Sequence, residues 1–347
     1  MQDSEKIKWV TDEDWMREAI QLAKLAEGRT SPNPIVGAIL VSDRGEKIGE
    51  GYHQRAGTAH AEVHAFAQAL KNFPDQINSA TLYVTLEPCS TKGRTGACTD
   101  LILKHKVKRV VYGMDDPNPA HAGRAQEVLK GIQVIRGVLE EECRALNPVF
   151  IKWITQKTPY ILLKMGQSLD GCLVRPEGEG QWITNERSRR LGRQLRTRVD
   201  AILIGAETLR RDNPRLTLHD VDCHVDHPQP CRIVLTHQSE VSKKYHLFED
   251  QYAEKTLLMK ADSIESLYQQ CREKQITSLL VEGGSKIFQW FLKAGAWDEL
   301  HVFTAPLLCG TDVKSFALAD ELKSQKLRLK TLKTVDQDIY TIYLSGS

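Results

Sequence analysis

The chain has 347 residues, which at roughly 150 residues per domain points to two domains, each long enough to bury its own core. Hydrophobic residues make up 41% and charged residues 27%, a mix that excludes a disordered, collagen-like or coiled-coil chain. Lysine and arginine number 47 against 45 acidic residues, and a net charge of +2 gives bulk-charge attraction to nucleic acid or membrane no support. No apolar run approaches the roughly 18 residues of a membrane span. The polar start MQDSEKIKWVTDEDW lacks the basic and apolar regions of a secretory signal, so a cytoplasmic protein is expected. The eight cysteines do not read as a disulfide framework in that setting. Six are scattered singly and read as small buried residues, whereas Cys89 and Cys98 stand apart by their neighbours.

In chain order, Thr11 can N-cap a helix with Asp14 as its capping-box partner, and Gly28 suits the stop. Ile35–Val41 reads as a strand, and Lys47–Tyr52 as its hairpin partner across the turn Asp43-Arg44-Gly45. His60–Asn72 has helical apolar spacing, Ala80–Leu86 is a strand, Cys98–His105 a helix and Lys108–Gly113 a strand. Gln126–Lys130 and Ile132–Ile135 repeat the alternation, as in an α/β sandwich around one sheet. Turn signals at Asn147-Pro148 and Thr158-Pro159 mark a boundary. The expected organisation is a first domain over 1–148, a linker over 149–158 and a second domain over 159–347. In the second, buried strands are expected at Tyr160–Met165, Ala201–Ile204, Ile233–Leu235, Leu279–Val281 and Leu300–Phe303. Helices are expected at Asn185–Arg196, Ile264–Lys274 and Ser285–Ala294, with Leu327–Leu332 and Ile339–Leu344 as closing antiparallel strands.

The strongest chemical signal is His60-Ala61-Glu62 followed by Pro88-Cys89 and Cys98. One imidazole and two thiolates form a zinc set with the fourth tetrahedral position open to water, whose pKa zinc lowers to about 7. Glu62, two residues after the histidine, can face the same pocket without ligating and carry a proton from the water to a departing amine. The arrangement follows the nucleobase-deaminase pattern H-x-E…P-C-x-x-C, except that eight residues separate the cysteines.

Thr85-Leu86-Glu87-Pro88-Cys89-Ser90, Gly93-Arg94-Thr95 and Cys98-Thr99 resemble the deaminase half of the bacterial bifunctional riboflavin-biosynthesis deaminase/reductases. So do Pro32-Asn33-Pro34, Val36-Gly37-Ala38 and Gly51-Tyr52-His53. The resemblance implies zinc on His60, Cys89 and Cys98, with Glu62 as proton shuttle. It places Asn33, His53 and Arg94 around a pyrimidine and its ribosyl phosphate. The chain departs from the family after Ser90, where Thr91-Lys92 replaces a frequent histidine.

In the second half the sequence offers no metal cluster. Val281-Glu282-Gly283-Gly284-Ser285 lies between a strand and a helix, where a glycine turn lets backbone N–H groups approach phosphate. With Lys164–Gly171, Gln181-Trp182-Ile183-Thr184 and Asp212–Thr217 it resembles the reductase half of the same family, which is dihydrofolate-reductase-like in fold and uses NADPH. By matching position, Gly166, Trp182, Thr208, Asp212 and the turn Gly284, Ser285, Lys286 and Ile287 would line the cofactor. Gly180, Arg196, Leu216 and Glu282 would line the substrate, with Lys164 and Asp170 as polar groups near the ribose. The family's L-T-x-R becomes Leu216-Thr217-Leu218-His219, losing the arginine expected on the substrate phosphate.

The resemblance therefore implies a cytidine-deaminase-like α/β sandwich followed by a dihydrofolate-reductase-like α/β domain. The implied activities are zinc-dependent deamination of 2,5-diamino-6-(5-phosphoribosylamino)pyrimidin-4(3H)-one and NADPH-dependent reduction of its ribosyl group to ribityl. Small-molecule substrates, no nucleic acid or membrane partner, and a homo-oligomer are expected. Two rivals remain open at this point: a deaminase acting on nucleic acid, and a deaminase with a non-catalytic C-terminal domain. The absence of a basic, aromatic-interleaved stripe speaks against the first, and His219 is the best support for the second.

Overall fold

The computed structural model describes residues 10–90, 96–219, 221–238, 241–310 and 326–346. Arg94, expected at the deaminase substrate, lies outside them. The chain divides into two compact units, Met1–Gln156 and Lys157–Ser347.

In the first unit α1 (Asp12–Lys24) starts in the expected capping box, Asp14 N–H donating to the Thr11 hydroxyl while the Asp14 carboxylate accepts from Thr11 N–H. It ends at Leu25 rather than running to Gly28. The amides of Leu25 and Ala26 turn to carbonyls three residues back, and this tighter winding closes the helix early. The hairpin β1 (Gly37–Val41) and β2 (Lys47–Tyr52) follows, then α2 (Ala61–Asn72), β3 (Thr81–Leu86), α3 (Cys98–His105) and β4 (Arg109–Met114). The unit continues with α4 (Arg124–Val128), β5 (Gln133–Arg136), α5 (Glu140–Leu146) and α6 (Pro148–Gln156). The sheet order is β2-β1-β3-β4-β5, with β1 antiparallel to both neighbours and β3, β4 and β5 parallel.

Each face of this sheet has its own core. Ala61, Ala65, Phe66 and Ala69 of α2 pack with Leu40, Leu82 and Val84 on one side. Met16, Ala19 and Ile20 of α1 pack with Ile39, Tyr83 and Val111 on the other. At Gly51 a Cβ would stand 2.5 Å from the Ala61 carbonyl oxygen, so glycine is what lets the start of α2 press onto β2. Most of the stretch expected as a connector, 149–158, is helix α6, whose Ile151 packs against the α1 core.

The second unit runs β6 (Tyr160–Ser168), α7 (Glu186–Gln194), β7 (Ala201–Gly205), α8 (Ala206–Asp212), β8 (Cys231–Leu235), α9 (His246–Glu249) and β9 (Thr256–Met259). It then runs α10 (Ile264–Glu273), β10 (Ser278–Gly283), α11 (Ser285–Lys293), β11 (Glu299–Ala305), β12 (Arg328–Val335) and β13 (Asp338–Leu344). One sheet of order β12-β13-β11-β6-β10-β7-β8-β9 carries it. The six strands from β11 to β9 are parallel; β13 is antiparallel to β11 and β12. The sequence patterns located most of these strands but not α5, α8, α9 or β9, which are short and carry little periodicity.

β6 sends Ile161, Leu163 and Met165 into a core with Leu279, Val281, Phe288 and Phe291. Lys164 points to the opposite face, where α7 lies so close that a Cβ on Gly192 would be 2.7 Å from Lys164 Cε. Among the described residues no helix is long and apolar enough to cross a membrane.

Candidate active sites

In the first unit three chain segments converge at the ends of α2, β3 and α3. His60 is the N-cap of α2, with an extended backbone and no capping bond from its ring, so the imidazole is left for other partners. Cys89 follows β3, and Cys98 opens α3. His60 Nδ1 lies 3.3 Å from Cys98 Sγ and 3.6 Å from Cys89 Sγ, and all three ligand atoms fall within 4.8 Å of one another. The Cys98 amide donates to Cys89 Sγ at 3.3 Å. Hydrogen bonds from the Cys98 thiol, His60 and the Cys98 amide hold Cys89 below the usual thiol range, whereas sharing that proton and burial push Cys98 up. One thiol therefore ionises readily beside the other, and a cation at their centre would let both do so. The mutual spacing and the donor chemistry fit a zinc ion.

Glu62 stands in the first turn of α2, 4% exposed, near the Cys98 thiol; burial pushes its carboxyl up. His53 is 3% exposed and meets the His60 ring edge-on at 5.7 Å. Its Nδ1 lies 3.1 Å from the Ala59 carbonyl and its Nε2 3.3 Å from Asn33 Nδ2. These partners require Nδ1 to donate and Nε2 to accept, so His53 is neutral here, and burial holds its pKa down. Asn33 and His53, distant in sequence, thus form one wall beside the metal set.

Sequence reading missed Glu87. It is 6% exposed, and its carboxylate accepts from the amides of Asp116, Gly123 and Ala125 at 3.1, 3.0 and 2.9 Å. It ties the loop after β4 to the strand end that presents Cys89. Its place beside Pro88-Cys89 was visible in the sequence, but its backbone partners were not.

In the second unit Arg196 and Glu282 form a two-point ion pair. Arg196 Nε and Nη2 donate to the two carboxylate oxygens at 2.6 and 2.9 Å, and Nη1 donates to the Thr217 carbonyl at 2.9 Å. Both side chains are nearly buried, at 12% and 10% exposure. Burial would raise the Glu282 carboxyl, but Arg196 and Lys164 outweigh it and hold the group ionised. Burial lowers Lys164, with the Glu282 charge opposing. Three residues expected at the substrate, Arg196, Leu216 and Glu282, are thereby gathered. Leu216 is buried with φ at +50°, and this left-handed turn aims the Thr217 carbonyl at the guanidinium. Both Glu282 oxygens are engaged by Arg196, so Glu282 does not stand ready as a lone acceptor. A cleft of about 530 Å³, lined by Arg215, Thr217, His219, Gln229 and Tyr252 among others, opens beside this segment.

The glycine turn lies against α8. A Cβ on Gly284, where φ is +78°, would be 3.3 Å from Thr208 Oγ1, and one on Gly205 would be 3.0 Å from Ile287 Cγ1. The starts of α8 and α11 are thus neighbours, each with a glycine N-cap that offers no side chain. Two adjacent helix starts with open amides fit a dinucleotide pyrophosphate. Asp212 lies four residues beyond Thr208 on the same face of α8. Lys286 is exposed and 3.6 Å from Glu207. Gly166 faces Thr184, whose Cγ2 a Cβ would meet at 3.2 Å. Trp182 is exposed under the Arg189 guanidinium at 4.8 Å, and Gly180 is an exposed turn with φ at +101°. Asp170 accepts from the Cys309 and Gly310 amides, so its carboxylate is engaged by that loop.

A metal set with a buried carboxylate in one unit, and a glycine turn beside a buried ion pair in the other, define a two-unit enzyme joining a zinc-type deaminase to a dinucleotide-type reductase. The comparisons agree. The cytidine and deoxycytidylate deaminase zinc-binding region matches residues 10–114, and the RibD C-terminal domain matches residues 159–341. Riboflavin biosynthesis protein RibD of Aquifex aeolicus is 38% identical, with 96% of this chain and 98% of that protein covered. Its Escherichia coli counterpart is 37% identical, covering 97% and 100%. The solved Acinetobacter baumannii RibD superposes with a TM-score of 0.87 at 32% identity, covering 97% and 99%. A Thermotoga maritima structure described as a diaminohydroxyphosphoribosylaminopyrimidine deaminase/5-amino-6-(5-phosphoribosylamino)uracil reductase superposes at 0.86 with 35% identity, covering 96% and 99%. The chain belongs to the RibD family of bifunctional riboflavin-biosynthesis proteins, with a cytidine-deaminase-like N-terminal domain and a RibD-type C-terminal domain. This membership favours a deaminase and reductase of small molecules over both rivals.

Proposed function

We propose that the first unit deaminates 2,5-diamino-6-(5-phosphoribosylamino)pyrimidin-4(3H)-one, and that the second reduces the ribosyl group of the product to ribityl with NADPH. The observation that carries this reading is the convergence of His60, Cys89 and Cys98 with the buried Glu62 beside them. His60, Cys89 and Cys98 would hold one zinc per chain. When bound, zinc acidifies water so that hydroxide is available near neutral pH. Glu62 takes the water's proton on its carboxylate and delivers it to the departing amine nitrogen, so that ammonia leaves. Asn33 and the neutral His53 wall the pyrimidine, with Arg94 assigned to the same substrate.

In the second unit, Gly284, Ser285, Lys286 and Ile287, beside Thr208, would hold NADPH, with Gly166, Trp182 and Asp212 completing its surroundings. NADPH supplies the hydride for C1 of the sugar. Arg196 and Glu282, paired with one another, would line the substrate together, with Leu216 shaping the turn and Gly180 lining the approach. Arg215 borders the cleft on the same segment as His219 and offers the cation in place of the arginine the family carries there. A cytoplasmic homo-oligomer acting on free small molecules completes the reading.

A two-stage assay tests it: zinc-dependent ammonia release from the diaminopyrimidine, then NADPH oxidation on the deaminated product. Ammonia release from polynucleotide alone, or no NADPH oxidation, would refute the corresponding half.

A further inference from the structure

The sequence shows no metal cluster in the second half, yet the fold assembles one. Cys172 follows β6 and Cys309 follows β11, two adjacent parallel strands whose last paired residues are Ser168 and Ala305. With Asp170 they bring two sulfurs and a carboxylate oxygen within 4.8 Å of one another, the same limit that His60, Cys89 and Cys98 meet. We propose that Asp170, Cys172 and Cys309 form a second metal site, in the reductase unit, for a thiolate-preferring divalent cation of the zinc, cobalt or cadmium class.

The ligands are oriented from behind. Asp170 accepts from the Ser168 hydroxyl, from the Cys309 amide at 3.0 Å and from the Gly310 amide at 2.8 Å. The Ser168 hydroxyl oxygen in turn accepts from the Cys172 amide at 2.8 Å, so one serine sets two ligands. The Cys309 amide is shared with the other carboxylate oxygen at 3.2 Å, so three donors face about four lone-pair sites and one remains for a metal bond. Such outer contacts fix first-layer ligands in metal proteins. The Gly310 carbonyl oxygen, 3.8 Å from Cys172 Sγ, is a further oxygen at the rim.

Access agrees with this assignment. Cys172 is buried, Cys309 half-buried and Asp170 exposed, so an ion enters from the carboxylate side. Cys172 and Cys309 are free thiols, not a disulfide. Sulfurs around a tetrahedral ion with metal–sulfur bonds of about 2.3 Å stand about 3.8 Å apart. A disulfide requires about 2.05 Å. Bound metal would clamp the loop after β6 to the loop after β11, at the strand ends where α/β sheets take ligands.

The test uses the full chain, purified under reducing conditions, stripped of metal and titrated with Co²⁺. Cobalt–thiolate absorption and bound metal per chain are the readouts. Cys309→Ser and Cys172→Ser should each bind one ion fewer than the unaltered protein, or bind it at least tenfold more weakly. Ammonia release should be unchanged in both. Cys98→Ser should lose a different ion together with ammonia release, which keeps the two sites distinct whatever the total. Melting curves of both cysteine variants show that the unit is folded. Unchanged stoichiometry and affinity in Cys309→Ser and Cys172→Ser would overturn the proposal. So would a thiol count, on unfolded protein purified without reductant, in which Cys172 and Cys309 react only after a reductant is added, because the pair would then be a disulfide.

Discussion

Arg196 and Glu282 meet through two hydrogen bonds in a nearly buried pocket, and a third bond ties the same guanidinium to the Thr217 carbonyl. The pair fixes the end of β10 against the segment at Leu216. Breaking a buried ion pair by removing one charge costs about 3–5 kcal/mol, because the other charge is left uncompensated. Glu282→Gln keeps an acceptor and belongs near the low end, with Arg196 and Lys164 left facing one another. The expected result is a lower denaturation midpoint for the reductase unit, a 10- to 150-fold loss of kcat/KM on the deaminated pyrimidine, and nearly unchanged NADPH affinity. Denaturant melts and steady-state kinetics check it, and normal values in both would remove Glu282 from the site.

Glu62 and Cys98 are neighbours with different tasks, and zinc content separates them. Glu62→Gln should retain zinc and lose deamination by at least about 10²-fold. Cys98→Ser should lose most of the metal as well as the activity. Reduction of ready-made deaminated substrate should survive in both variants. Full zinc in Cys98→Ser, or near-normal ammonia release from Glu62→Gln, contradicts the assignment.

Gly284 has φ at +78°, and a Cβ there would stand 3.3 Å from Thr208 Oγ1. Gly284→Val places a branched side chain in a left-handed conformation at the start of α11, where the cofactor phosphates are assigned. NADPH affinity should fall at least tenfold while ammonia release is unaffected. Fluorescence titration with NADPH measures this, and unchanged binding would make the segment a structural turn only.

Glu299 is 1% exposed. Burial alone would raise its carboxyl, but His301 at 3.0 Å, Arg198 and Lys330 together hold it below the usual carboxylate range. Its folded pKa therefore lies under its unfolded value of about 4.3. The stabilisation is complete above that value and is lost as pH falls through it toward the folded one. His301, held down by burial, adds a loss of the same sign that begins near pH ~6.5. Glu299→Gln should lower stability at neutral pH and flatten its fall below about pH 4. Thermal melts across that range decide the matter; parallel slopes for the two proteins would exclude Glu299 as a source of acid sensitivity.

The deaminase site was legible in the sequence because its chemistry is local. His60 and Glu62 are two residues apart, and Pro88-Cys89 and Cys98 flank a strand and a helix whose patterns stand in the chain itself. The capping box at Thr11 and the strand–glycine–helix turn at Gly284 were legible for the same reason: a few neighbouring residues set their dihedrals and hydrogen bonds. Sheet order and long-range partners were decided only by tertiary structure. Burial of both faces dictates which strands adjoin, and adjacency determines which side chains meet. The Arg196–Glu282 pair, the three amides on Glu87, and the meeting of Asp170, Cys172 and Cys309 all depend on residues far apart along the chain. β6 lies between β10 and β11, and that neighbourhood turned two scattered cysteines into a cluster, because parallel strands bring distant loops to the same edge of the sheet.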